Sequence, residues 1–233
     1  MQIQESIQFL QTNYFFNTDF TMKKLLISLL KKAGYVVYST KAIKSQQVQV
    51  INKGKAIINK ISPDFRILNG PFKGIKYPSI DITELTLAPK ITGSYEAHLT
   101  PLIYKIINSP YDNIIDVGCA EGYYAVGLAK KIPQSIVHCF DINEFDLNFC
   151  KQMAKANNTS NITFNKFCYP ETLIDFKYGK KTLIFCDCEG YEIELFTDEV
   201  IASLKNTDVL IELHDVFNPK ISSSQILNEV FIN

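Results

Sequence analysis

Asn113-Ile-Ile-Asp-Val-Gly-Cys-Ala-Glu-Gly-Tyr-Tyr-Ala-Val-Gly-Leu-Ala-Lys-Lys-Ile132 decides how this chain folds. Its first five residues form the short apolar run of a buried strand. The next five contain Gly118 and Gly122 and make a turn. From Tyr123 apolar residues recur at helical spacing until Pro133 interrupts them. The same unit then repeats. Ile136–Phe140 is a strand ending at Asp141, followed by a helix over Glu144–Asn157. Asn161–Phe167 and Thr182–Cys186 are further strands, the latter ending at Asp187, and a helix over Tyr191–Leu204 leads to a fifth strand, Asp208–Leu213. Strands alternating with helices predict an α/β fold, a doubly wound and mainly parallel sheet with helices on both faces. Ligands of such sheets bind beyond the carboxyl ends of the strands. That places Asp116–Gly122, Asp141, Cys168, Asp187–Gly190 and Glu212–Asp215 on one rim.

The first turn narrows the ligand. A dinucleotide site reads Gly-x-Gly-x-x-Gly, so that a helix N-terminus meets a pyrophosphate. Here Ala120 replaces the middle glycine, and Glu121 near the helix start is expected to repel a pyrophosphate. Gly118 and Gly122 still permit close backbone approach. Asp141, 25 residues after Asp116 and at the next strand end, is placed to accept both hydroxyls of a ribose. A ribose partner without a phosphate cradle means a nucleoside-like cofactor, and S-adenosylmethionine fits. A nicotinamide-dependent oxidoreductase is disfavoured by Ala120.

Ile114 to Ala129 resembles motif I of the class I S-adenosylmethionine-dependent methyltransferases, a Rossmann-like fold. Phe185-Cys-Asp-Cys-Glu-Gly-Tyr-Glu192 resembles the Asp-Val-Glu-Gly-x-Glu signature of the FkbM-type family, and Leu210-Ile-Glu-Leu-His-Asp215 the segment that follows it. Gly93-Ser-Tyr-Glu96 is similar to that family's upstream cofactor-side segment, which brings Glu96 to the cofactor. The resemblance covers about residues 93–217. It implies that Gly118, Cys119, Ala120 and Gly122 lie along the cofactor, and that Asp116 holds the turn and the cofactor's amino group. It also implies that Asp141 takes the ribose, that Phe167 and Cys168 flank the adenine, and that Asp187 faces the methionine end and the acceptor.

Methyl transfer from a sulfonium is an in-line displacement, so the protein aligns the nucleophile and removes its proton. Enzymes that methylate exocyclic base amines carry Asn/Asp-Pro-Pro-aromatic at the fourth strand end, where this chain reads Asp187-Cys-Glu-Gly190. Cytosine C5 chemistry needs a Pro-Cys nucleophile, and no cysteine here follows proline. A hydroxyl of a sugar or other small molecule is left as the expected acceptor, a nucleic acid is not, and the family resemblance points the same way. Asp187, Glu212 and His214 are the expected catalytic residues, with His214 as base. Asp187, Glu189, Glu212, His214 and Asp215 are also a set that Mg²⁺, a hard oxygen-seeking ion, could use; the alternative has Glu189 and Glu192 capping a helix while His214 pairs with Asp215. No resident metal site is assigned. His98 and His138 are expected to be structural. The rival to an active enzyme is a cofactor-binding but catalytically impaired scaffold.

The remaining features bound the molecule. With 46% hydrophobic residues, 21% charged and a net charge of zero, the 233 residues suit one folded domain plus an extension, or two small domains. Residues 1–60 carry nine basic and two acidic side chains, whereas 114–233 carry ten lysines against seventeen acids. The expected divisions are a basic helical extension over 1–60, a linker of short strands over 61–92 and a methyltransferase domain over 93–233. Met22–Ala33 has too short an apolar core for a secretion signal and predicts an amphipathic helix ending at Gly34. Packing on the main domain or a homodimer partner is its expected use, and anionic lipid the alternative. No run is long enough for a membrane span. Six cysteines, at 119, 139, 150, 168, 186 and 188, read as small buried residues in a reducing cytoplasm, with a metal thiolate site as the alternative. After Asp215 only eighteen residues follow, too few for the closing hairpin of a methyltransferase sheet, so an incomplete sheet edge is expected there, one that 61–92 or a partner would have to complete.

Overall fold

The computed structural model describes residues 20–34, 40–82 and 85–214. Among the described residues five strands form one sheet: β1 (Asn113–Val117), β2 (Ile136–Phe140), β3 (Ile162–Asn165), β4 (Thr182–Cys186) and β5 (Thr207–Ile211). They are all parallel and lie in the order β3-β2-β1-β4-β5. The central strands β1 and β4 are buried almost throughout, which explains their uninterrupted apolar runs. Edge strands β3 and β5 are only half-buried and accept Thr163 and Asp208. Val117 pairs with both Phe140 and Cys186, and Cys186 with Ile211. These strand ends are therefore level, and Gly118, Asp141, Asp187 and Glu212 emerge side by side. The strand order reverses between β1 and β4, the crevice where doubly wound sheets bind ligands. This is a doubly wound, Rossmann-like α/β fold, as expected.

Each face has its own core. On one, Ile114, Val137 and Leu183 pack with α4 (Thr100–Ile107), α5 (Tyr123–Lys131) and α6 (Glu144–Ala156). On the other, Ile115, Ile184 and Cys186 pack with α7 (Pro170–Ile174), α8 (Glu192–Leu195) and α9 (Asp198–Ser203). Helix α6 starts where Asn143 accepts the Phe145 amide at 3.0 Å, with Glu144 and Asp146 in its first turn to complement the helix dipole. The single helix expected over 191–204 is two. Thr197 adopts an extended backbone and accepts the Val200 amide at 3.3 Å, so it starts α9 afresh. Ahead of β1 the chain makes a 3-10 turn over Ala97–Leu99 and becomes α4 at Thr100.

Among the described residues, 61–92 contribute no strand to the sheet, where short strands were expected. One antiparallel bridge, Arg66 to Lys76, closes a loop that turns at Gly70 and Gly74, and Leu87–Thr92 forms helix α3. Ile67, Ile75 and Tyr77 reach the core from that loop, so their loose alternation reflects burial of a loop. The described ones among these residues do not complete the sheet, and the residues after His214, where the incomplete edge was expected, lie outside the described residues.

The chain divides into two compact units, Met1–Gln49 and Val50–Asn233, with the boundary inside α2 (Thr40–Ile61). In the first unit α1 (Phe20–Lys32) stops just before Gly34, whose left-handed backbone lets its amide reach the Lys31 carbonyl at 3.1 Å. In the second, Ile58 of α2 is fully buried. Among the described residues no helix is long and apolar enough to cross a membrane.

Candidate active site

The bend after β1 is held by backbone. Gly118 and Cys119 both donate their amides to the Phe140 carbonyl, at 2.9 and 3.1 Å, and Asp187 donates its amide to the Val117 carbonyl at 2.9 Å. A Cβ on Gly118 would fall 1.7 Å from the Asp187 carbonyl oxygen, so only glycine lets the bend cross the end of β4. Asp141 clamps the bend from the next strand. One carboxylate oxygen accepts the Ala120 amide at 2.7 Å and the other accepts the Asn143 amide at 2.8 Å. Asp116 lies beneath at 2% exposure with its Oδ2 accepting no hydrogen bond, and burial, with Cys119 beside it, pushes its carboxyl well above the usual range.

Above the bend opens a cleft of about 320 Å³. Gly118, Ala120 and Asp141 line one part, Phe167 and Cys168 another, and Asp187 the end towards β4. Phe167 is propped by Tyr169 and Tyr191, with ring centroids 4.5 and 5.0 Å away. Ile142 also lines the cleft while 74% exposed. Sequence reasoning passed over it, although an apolar residue directly after the strand-end carboxylate was a usable signal.

Beside Asp187 stands His214, only 10% of its side chain exposed. Its Nδ1 lies 2.9 Å from Glu192 Oε1, and its Nε2 lies 3.6 Å from Asp187 Oδ1, 3.6 Å from Glu189 Oε2 and 3.9 Å from Glu212 Oε1. Glu192 is buried and also accepts the Cys188 and Gly190 amides, so it caps the turn and holds the imidazole at once. As an ionised carboxylate it accepts only, which puts the Nδ1 proton on its side of the ring. Burial, then the charge of Glu212, push the Asp187 carboxyl up to about 6. Burial lowers the His214 pKa, but the Glu192 hydrogen bond and the charges of Glu192, Asp187 and Glu189 raise it further, and the net shift is upward. The expected partner Asp215 lies outside the described residues.

A family profile described as a methyltransferase domain matches residues 108–229, more than half of the chain. The chain belongs to this methyltransferase family. No curated protein sequence matches the methyltransferase. Similar solved structures include precorrin 8W decarboxylase of Methanobacterium thermoautotrophicum, 18% identical over 56% of this chain and 69% of that one, with a TM-score of 0.41. The Pyrococcus abyssi tRNA (uracil-54, C5)-methyltransferase in complex with S-adenosyl-L-homocysteine is 17% identical over 60% of this chain and 33% of that one, with a TM-score of 0.39. WbdD is 22% identical over 51% and 29%, with a TM-score of 0.39. The methyltransferase thus covers a third or less of the length of the last two.

Its cofactor is S-adenosylmethionine, and the residues present suit that molecule. Phe140 and Phe167 line the cleft with apolar surface that suits a base, Asp141 has the acceptors a ribose needs, and Asp187 carries a buried oxygen without a hydrogen-bond partner where a cationic methionine end would lie. Asp116 lies beneath the bend and does not line the cleft. The bound cofactor supplies an electrophilic methyl group on a sulfonium. Other expected cofactor residues stand apart from the cleft. The Cys119 thiol turns towards Cys139 and Cys150, and Gly122 packs against Cys150. Glu96 instead accepts a short hydrogen bond from the Tyr124 hydroxyl. Glu121 points away from the cleft, so it does not repel a ligand there. It is 2% exposed, and its Oε1 meets Lys90 Nζ at 2.7 Å and the Tyr77 hydroxyl at 2.9 Å. His138 bridges Asn113 and Thr163 between strands, as a structural histidine does, and His98 is exposed.

Replacing Asp141 with alanine removes both clamps on the bend as well as the sugar acceptor. The Asp141→Ala methyltransferase is expected to bind S-adenosylhomocysteine about 10- to 100-fold more weakly by titration calorimetry, the loss of one or two hydrogen bonds to a charged group.

Proposed function

We propose that the methyltransferase moves a methyl group from S-adenosylmethionine to a hydroxyl oxygen of a small molecule, a sugar hydroxyl foremost, with His214 as the base, and that it is of the FkbM type. The observation that carries this reading is the Glu192–His214 pair at the rim of the cleft, 2.9 Å apart, with Nε2 turned to Asp187 and Glu189. An alcohol holds its proton tightly at neutral pH, so its oxygen needs a base as the methyl arrives. Glu192 fixes the ring and favours the imidazolium that forms when His214 takes that proton. Asp187 lines the cleft next to it and can orient the acceptor hydroxyl. The Asp187-Cys-Glu-Gly190 turn has no proline, which tells against the base-amine enzymes.

Asp187, Glu189 and His214 hold donor atoms within 4.8 Å of one another, so a metal-assisted version has a structural basis. Magnesium prefers oxygen ligands throughout, and the imidazole in the set favours the base over that ion. Activity is therefore expected to survive EDTA.

The test is release of S-adenosylhomocysteine with a panel of saccharides and other alcohols, set against amines. Turnover on hydroxyl acceptors is expected, and His214→Gln should lower kcat by about 10²- to 10⁴-fold with little change in cofactor affinity. A base must be unprotonated, so kcat/KM should fall as pH drops through the raised His214 pKa, and Glu192→Gln should move that inflection to lower pH. Turnover confined to amines, or an undiminished His214→Gln enzyme, overturns the assignment. Cofactor binding without turnover on the whole panel favours the impaired scaffold.

A further inference from the structure

We propose that Cys119, Cys139 and Cys150 form a buried binding site for one thiophilic divalent cation of the Zn²⁺ kind, behind the wall of the cofactor cleft. The three thiols come from three elements, the bend after β1, β2 and α6, and their sulfurs all lie within 4.8 Å of one another. All three are buried and none is in a disulfide. With metal–sulfur bonds of about 2.3 Å, three sulfurs around one ion stand about 4 Å apart, within about 1 Å of the spacing seen here. Soft sulfur donors select such an ion over magnesium or calcium. Three thiolates around a divalent ion leave a net charge of −1, where a monovalent ion would leave −2 in a buried place.

The surroundings are shaped to admit the third thiol. A Cβ on Gly122 would fall 2.6 Å from Cys150 Sγ and 3.2 Å from its Cβ, so the bend leaves Cys150 room that any other residue would fill. On binding, each S–H bond gives its proton to solvent as a sulfur–metal bond forms, and no electron changes hands. The fourth position falls to a small exogenous ligand. Cys119 lies between Gly118 and Ala120, which line the cleft, and Cys139 lies two residues before Asp141. An ion here would tie together the parts of the chain that hold the cofactor.

The full chain, kept reduced with a phosphine, should be titrated with Cd²⁺ as a visible reporter and with Zn²⁺ against a chromophoric chelator. One equivalent of Cd²⁺ should give the ultraviolet sulfur-to-metal band, and Zn²⁺ should abolish it. Cys150→Ala and Cys139→Ala should each lose the band and at least about 100-fold in Zn²⁺ affinity. Cys188→Ala and His214→Ala should keep both, which separates this site from the Cys186–Cys188 pair and from the Asp187–Glu189–His214 group. Zn²⁺ should also raise the melting temperature of the wild type and not of Cys150→Ala. A wild type without the band, or a Cys150→Ala protein that keeps it, overturns the proposal. Should one variant fail to fold by circular dichroism, the other variant and the wild-type titration still decide.

Discussion

Gly118→Ala is expected to abolish S-adenosylhomocysteine binding and to lower stability at the same time. The new Cβ would lie 1.7 Å from the Asp187 carbonyl oxygen, 2.7 Å from its carbon and 3.3 Å from Cys188 Cα. None of these atoms belongs to a flexible side chain. The Asp187 amide is bonded to Val117, and β4 is paired on both sides, so the clash cannot be relieved locally. The residue also sits at φ +84°, a conformation an alanine adopts only under strain. Either the ends of β1 and β4 part or the bend changes course, and both destroy the surface against which a cofactor lies. A loss of at least about 2–3 kcal/mol is expected in denaturant unfolding, with no heat of binding in calorimetry. Retention of affinity within about tenfold of wild type would show that the bend is not the cofactor's seat.

The second large effect lies outside the cleft. Lys90→Met is expected to cost about 3–5 kcal/mol, because it strands the Glu121 carboxylate in the core. Lys90 is 4% exposed, lies 2.7 Å from Glu121 and stands 4.9 Å from the centre of the Tyr95 ring. Glu121 immediately precedes Gly122, the N-cap of α5, so this pair fastens α3 to the element that carries the bend. Chemical denaturation of Lys90→Met, Glu121→Gln and the double variant measures the coupling. The double variant should regain part of what Lys90→Met loses, since a neutral amide is cheaper to bury unpaired than a carboxylate. Simple addition of the two losses would mean that the pair does not act as a unit.

Much of this was legible before folding. The extents of β1, β2 and β4 follow from their apolar runs, and their common direction follows from the helices between them. That direction alone puts Gly118, Asp141 and Asp187 on one rim. Other features had weak signals. The 191–204 segment has one helical periodicity but two helices, because Thr197 caps a new start inside it. The alternation in 61–92 suggested strands, although alternate burial arises equally in a loop packed on a sheet.

Taken alone, the amino-acid order determined the doubly wound sheet, the glycine bend and the carboxylate at the next strand end, because each depends on periodicity or short-range turn chemistry within one βα unit. It left undecided where Glu121, Glu192 and the three thiols point. Glu121 meets a lysine 31 residues earlier, Glu192 meets His214 22 residues later, and the thiols converge from three elements. Periodicity tells which face of its own element a side chain occupies, but the partner on the neighbouring element is selected only when the elements pack. Packing turned Glu121 from a guard of the cleft into a brace for its wall, and made Glu192 the residue that orients His214.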